Sequence, residues 1–225
     1  MSAGIGLDVY GTLVDPLGMS DHLRPFVGDS ADRIAEQWRA KQLEYTFRRT
    51  AMGLYENFDV CTKQALRFVL ANANVTISPD EEARLVDRYQ TLGAYPDASP
   101  GLKQLKASGH TLVAFSNGVE TTLRKLLDGA GLLASLSGIV SVDALRTFKP
   151  DPRVYAALTS RLNRPAASTW LVSSNPFDVI GAKVAGLKVA WIRRNPRIVF
   201  DPWDIPPDLV ASNLLEFAQR LATLP

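Results

Sequence analysis

The sequence predicts an α/β protein: a doubly wound parallel-sheet core of Rossmann-like type, with a helical cap domain inserted after its first strand. Three observations predict it. The apolar run Ile5-Gly6-Leu7 ends on Asp8, and Gly11-Thr12 follows at once. That is how a parallel sheet presents a carboxylate at the C-terminal end of a buried strand, where such sheets bind ligands. From about Asp15 to Tyr95 the pattern is helical, with no convincing strand. After Pro96 helical and strand-like runs alternate, which implies a parallel sheet covered on both faces. Residues 1–14 and 95–225 therefore make the core, and residues 15–94 the cap.

Residues 3–9 read as the first, buried strand. In the cap, Ser30 caps a helix that runs to about Arg49, with Ile34, Trp38 and Leu43 on its apolar side. A second helix, about 58–73, carries Ala65, Leu66, Val69 and Leu70 at helical spacing. Ser78, Pro79 and Glu81 spell a helix start: a capping serine, a proline at the first position and a glutamate three after the serine. That helix passes Leu85 and Tyr89 to about Gly93. The core then reads as helix 101–108, strand 111–115, helix 119–130, strand 138–142 and helix 152–162. Strand 169–172, helix 177–186 and strand 188–192 follow. Residues 193–207, with Pro196, Pro202, Pro206 and Pro207, form a surface loop, and the last helix covers about 209–221.

Composition narrows the function classes. A chain of 225 residues, 46% hydrophobic and 21% charged, is an ordinary globular protein. A net charge of +2 gives no reason to invoke nucleic acid. The single cysteine, Cys61, cannot form an intramolecular disulfide; in its helical, partly apolar stretch it reads as a packed thiol. Neither a signal peptide nor a membrane span is legible. A cytoplasmic protein is expected.

Three further strand ends converge on the crevice of Asp8. Ser116-Asn117-Gly118 ends the second strand just before a helix, where backbone N–H groups and the helix dipole suit an anion. Taken alone it is a turn with a capping residue. Lys149 precedes a proline-started helix, and Pro150 and Pro152 fix it in place. Ser173-Ser174-Asn175-Pro176-Phe177-Asp178 again joins a strand to a helix. Four loops supply polar groups of complementary type. His22 and His110, the only histidines, lie outside these loops and read as surface or packed residues.

These motifs resemble the four of the haloacid dehalogenase superfamily, over nearly the whole chain and including the helical insertion. Most members are magnesium-dependent phosphatases, and this sequence departs from them twice. Tyr10 stands where they carry a second aspartate, and Ser174 stands near the place of a metal carboxylate. A hard divalent cation needs charged oxygen ligands, so phosphoryl transfer is disfavoured. Both departures resemble the L-2-haloacid dehalogenase branch, as does the cap segment Trp38-Arg39-Ala40-Lys41-Gln42-Leu43-Glu44-Tyr45-Thr46.

The resemblance implies a metal-independent enzyme with no cofactor, acting on a small 2-haloacid and releasing halide ion. Asp8 is its nucleophile and forms an aspartyl ester, held ionised by Thr12 and Lys149. Ser116 receives the substrate carboxylate. Arg39, Asn117 and Phe177 cradle the halide, and Tyr10, Leu43 and Phe58 wall the alkyl chain. Asp178, with Lys149, Ser173 and Asn175, directs the hydrolytic water, and Tyr155 holds the network. The expected product is the D-2-hydroxyacid. No membrane or nucleic-acid partner is expected; a homodimer is. Two alternatives stay open: a phosphatase with an atypical site, and a catalytically silent binding protein on the same fold.

Overall fold

A computed structural model describes residues 2–223. Six strands, β1 (Gly4–Asp8), β2 (Thr111–Ser116), β3 (Gly138–Ser141), β4 (Thr169–Ser173), β5 (Lys188–Ile192) and β6 (Leu209–Ala211), form one sheet in the order β3-β2-β1-β4-β5-β6. Every pairing is parallel. From β1 the chain builds outward through β2 and β3, then returns to the other side of β1 with β4. The loops leaving β1 and β4 therefore part in opposite directions and open a crevice at their carboxyl ends. Asp8 and Ser173 are the last residues of those two strands.

Side-chain parity along β1 aims the aspartate. Gly4 and Gly6 face the helix α7 (Pro152–Leu162), and a Cβ added at Gly6 would lie 2.6 Å from Leu158. Asp8 shares their parity, so its carboxylate leaves the sheet on that side. Ile5 and Leu7 point the other way and are fully buried. The remaining core helices are α5 (Ala98–Ala107), α6 (Glu120–Gly129), α8 (Pro176–Val184) and α9 (Leu214–Ala222). α5 packs on α9, and α7 on α8.

Between β1 and α5 lie four helices, α1 (Met19–Val27), α2 (Ala31–Met52), α3 (Phe58–Asn72) and α4 (Pro79–Tyr89). α2 packs on α1 and α3, and α4 on the same two. The chain leaves and re-enters the core side by side: Val14 bridges Ala94, Asp15 N–H donates to Gly93 O at 3.0 Å, and Tyr95 N–H to Leu13 O at 2.9 Å. Among the described residues no helix is long and apolar enough to cross a membrane.

Several element readings need correction. Residues 209–211 are not helical. Their buried–exposed–buried alternation pairs them with β5, and the helix starts after Asn213, whose side chain accepts from Glu216 N–H at 2.8 Å. Helix α1 was not expected; Pro25 inside it masks the helical pattern. Ser30 precedes α2 but makes no side-chain cap; its hydroxyl accepts from Arg33 instead. Helix α4 stops at Tyr89, before Gly93. Its capping box at Ser78 and Glu81 forms as the sequence predicts.

Candidate active site

Asp8, Tyr10, Arg39, Leu43, Phe58, Ser116, Asn117, Lys149, Asn175 and Phe177 line one small crevice between the strand ends and the helices α2 and α3. Thr12, Ser173, Asp178 and Tyr155 stand directly behind it. All the residues singled out in the sequence thus come together, although they lie up to 170 positions apart (178 minus 8).

The two oxygens of Asp8 are treated differently. Oδ2 accepts from the Thr12 hydroxyl at 2.8 Å, Ser173 Oγ at 3.2 Å and Asn175 Nδ2 at 2.7 Å. Oδ1 meets one donor, Lys149 Nζ, at 3.1 Å. The Thr12 hydroxyl is aimed because its oxygen accepts from Ser174 N–H at 2.8 Å. Ser173 Oγ accepts from Asn175 N–H at 3.1 Å, which leaves its own hydrogen for Asp8. Gly11, at φ +89°, turns the chain just after Asp8, with the Ser174 hydroxyl close against it.

Lys149 is almost wholly buried. Its ammonium donates to Asp8 Oδ1, to Phe115 O at 2.9 Å and to Asp178 Oδ2 at 2.8 Å, and lies 4.1 Å from the Phe115 ring centroid. Three donors meet three acceptors, which is what a buried ammonium requires. The main chain of Lys149 is pinned as well, its N–H donating to Asn117 Oδ1 at 2.9 Å. Burial pushes the Asp178 carboxyl above its ordinary value; Lys149 pulls against the rise and Asp8 adds to it. Tyr155 donates to Asp178 Oδ1 at 3.0 Å. Burial, followed by the Asp178 charge, lifts the Tyr155 phenol well above its usual value, so it stays a donor.

On the opposite wall, Arg39 Nη1 donates to Gln42 Oε1 at 2.7 Å and Nη2 to Tyr10 O at 3.3 Å. Tyr10 is buried, with ring centroids of Phe58 and Tyr89 at 5.2 and 5.7 Å. Burial lifts its phenol well above 10. It is therefore a neutral wall, unlike the acid found at this position in phosphatases. Phe177 is held edge-on by Phe47 at 5.0 Å. Ser116 Oγ accepts from Gly118 N–H at 3.2 Å, leaving its hydrogen for a ligand.

A magnesium ion does not fit this donor set. The resemblance puts Ser174 near the place of a metal carboxylate, and its hydroxyl does not supply the negative charge that a hard cation needs. Among the described residues, no three His, Cys, Asp or Glu side chains gather as metal ligands.

Two residues that touch this machinery were not read from the sequence as site residues. Gln42 lies inside the cap motif that carries Arg39, three residues on, but its burial and its bond to the arginine are seen only in the structure. Arg194, assigned to a surface loop, instead reaches back. It donates to the carbonyls of Gly11 and Thr12, stacks on Tyr95 at 3.6 Å and pairs with Asp97 at 2.9 Å. No local pattern announces that, because every partner is distant in sequence. Cys61 is buried and its thiol is pushed up to about 11 by burial, as befits a packed residue. His22 is exposed, and His110 caps the main chain of Ala3. Neither approaches the crevice.

A parallel sheet with an aspartate at the end of its central strand, a lysine joining it to a second aspartate and a helical insertion above defines a class. The chain belongs to the haloacid dehalogenase-like hydrolases, whose family model matches residues 3–186. Within that family it is similar to (S)-2-haloacid dehalogenases. One from Pseudomonas putida is 34% identical over 97% of this chain and 96% of its own length. Another, (S)-2-haloacid dehalogenase 1 of Pseudomonas sp. strain CBS-3, is 39% identical over 83% of this chain and 82% of its own. The solved L-2-haloacid dehalogenase of Xanthobacter autotrophicus with chloropropionic acid covalently bound superposes with a TM-score of 0.94. It is 30% identical, with full coverage of both chains.

Proposed function

We propose that the protein hydrolyses short-chain L-2-haloacids to D-2-hydroxyacids and halide, through an ester on Asp8. The observation that carries this reading is the asymmetry of the Asp8 carboxylate. Three donors saturate Oδ2, whereas Oδ1 meets Lys149 alone and keeps a lone pair for the crevice.

In the first step Asp8 Oδ1 attacks C2 of the substrate opposite the halogen. The C2–O bond forms as the carbon–halogen bond breaks, and the halide leaves with the electron pair. No proton is needed, which is why Tyr10 can replace an acid. The substrate carboxylate sits on the Ser116 hydroxyl and nearby main-chain amides. Asn117 commits its Oδ1 to Lys149 N–H, so its amide hydrogens are free for the halide, beside Arg39 and the edge of Phe177. A cation ~4 Å from the departing anion is worth about 4 kcal/mol at an effective dielectric near 20, before desolvation. Leu43, Phe58 and Tyr10 hold the alkyl chain.

In the second step water attacks Cγ of the Asp8 ester and passes a proton to Asp178. The Cγ–O bond breaks, and Oδ1 leaves as the hydroxyl oxygen of the product and takes the proton back from Asp178. The water oxygen stays on Asp8, whose carboxylate re-forms as the second water proton passes to solvent. A carboxyl raised by burial is a better base than an exposed one. Displacement happens once at C2, so configuration inverts. This reading carries with it a cytoplasmic location, independence of metal, and a homodimer formed through the cap, where Met52 and Leu54 are exposed.

Isotope labelling tests the route. A single turnover of L-2-chloropropionate in ¹⁸O water should leave the label on the Asp8 peptide and give unlabelled lactate. Label in the first product, with Asp8 clean, would mean direct attack by water and end the nucleophile assignment.

A further inference from the structure

Gln42 is fully buried in the interior of a helix, where an amide costs stability unless every polar atom is paired. Each is. Oε1 accepts from Arg39 Nη1 at 2.7 Å and from the Tyr89 hydroxyl at 2.9 Å, and Nε2 donates to Thr62 Oγ1 at 2.5 Å. The orientation of the amide is fixed by chemistry. Arginine can only donate, and the Thr62 hydroxyl spends its hydrogen on Phe58 O at 2.8 Å, so it must accept from the glutamine. The chain continues to Trp38, whose indole N–H donates to Thr62 O at 2.9 Å. Arg39 is thus held from a rigid, buried frame spanning α2, α3 and α4. Its second terminal nitrogen reaches Tyr10 O, which leaves the outer edge of the guanidinium at a set angle to the crevice.

We infer that Gln42 is a positioning residue, which aims Arg39 at the departing halogen and thereby sets how well a poor leaving group is expelled. The inference rests on the dehalogenase reading above. A chloride needs more stabilisation in the transition state than a bromide, because its bond to carbon is stronger. Loosening Arg39 therefore penalises chloride more. A purely packing role for Gln42 would slow both substrates alike.

The test compares kcat and KM for L-2-chloropropionate and L-2-bromopropionate in wild type, Gln42→Leu, Arg39→Ala and the double variant. Misplacing a catalytic group by about 1 Å costs on the order of 10²-fold, so Gln42→Leu should lower kcat for the chloro substrate by roughly 10- to 100-fold. The bromo substrate should lose several-fold less, with KM little changed. In the Arg39→Ala background, adding Gln42→Leu should cost less than about twofold, since residues acting as a unit are non-additive. Should Gln42→Leu not fold, the near-isosteric Thr62→Val removes the acceptor of Nε2 and should show the same chloride-selective loss in smaller measure. Equal losses for the two halides, or full additivity with Arg39→Ala, would overturn the positioning role and leave the dehalogenase reading intact. A wild-type enzyme that releases neither halide would overturn both.

Discussion

The Lys149 ammonium and the Asp178 carboxylate stand 2.8 Å apart, and both side chains are almost wholly buried. A pair this deeply buried is held by its other partners, and removing one member leaves an uncompensated charge. Here the lysine also holds Asp8, so a single cation restrains both carboxylates. Asp178→Asn keeps the shape of the site but removes the proton acceptor. It should form the ester and stall there, giving a stoichiometric burst of halide. Intact-mass spectrometry after one equivalent of substrate should show the adduct. Free turnover with no adduct would take Asp178 out of the second step.

The same pair sets an acid limb. Asp178 has a raised carboxyl, and it must be ionised to accept a proton. Deacylation should fall as the pH drops through a value above the ordinary carboxylate range, about 3.9. A pH series of ester decay in single-turnover mode checks this; a limb at or below the ordinary value would contradict it.

Metal removal should have no effect. Tyr10 and Ser174 stand where magnesium-dependent members of the family carry acids, and neither brings negative charge. Halide release after exhaustive chelation should match that of untreated enzyme. Loss on EDTA and recovery on magnesium would return the phosphatase-like alternative.

Gly181 on α8 offers a way to disturb Tyr155 without touching the crevice. A Cβ there would lie 2.5 Å from the Tyr155 hydroxyl and 2.7 Å from Pro150. Gly181→Ala should destabilise the fold by about 1–3 kcal/mol through overpacking. It should also slow ester hydrolysis more than ester formation, as the phenol is pushed off Asp178. Denaturant unfolding and stopped-flow halide release measure the two effects separately.

Stability should weaken below neutrality at a site far from the chemistry. His110 Nδ1 accepts the Ala3 N–H at 3.0 Å, a bond that only the neutral ring can make. Burial, then nearby positive charge, lowers its pKa from 6.5. The unfolded chain therefore binds the proton more readily, so this contribution is full above about 6.5 and fades as pH falls through the lowered value. His110→Gln should flatten that part of the pH–stability curve.

How much of this was legible beforehand differs by kind of residue. The strand-end loops were readable because a parallel sheet brings the carboxyl ends of its strands to one edge, so Asp8, Ser116, Lys149 and Asp178 had to face one crevice. The start of α4 was readable because a capping box is a contact three residues long. The sixth strand was not: Leu209–Ala211 is a strand through its hydrogen bonds to β5, and three residues carry too little pattern to say so.

The sequence by itself determined the fold class and placed Asp8 at the end of a buried strand, since these follow from local order and residue chemistry; what Tyr10 replaces came from the resemblance to the family. Only the tertiary structure decided which oxygen of Asp8 is free, that Lys149 joins two aspartates, and that Gln42 and Arg194 serve the site from hidden positions. Hydrogen bonds are directional and short, and apart from Thr12–Asp8 and Arg39–Gln42 their partners here lie tens to more than a hundred residues apart. No periodicity records such a pairing; it exists once packing has fixed both ends.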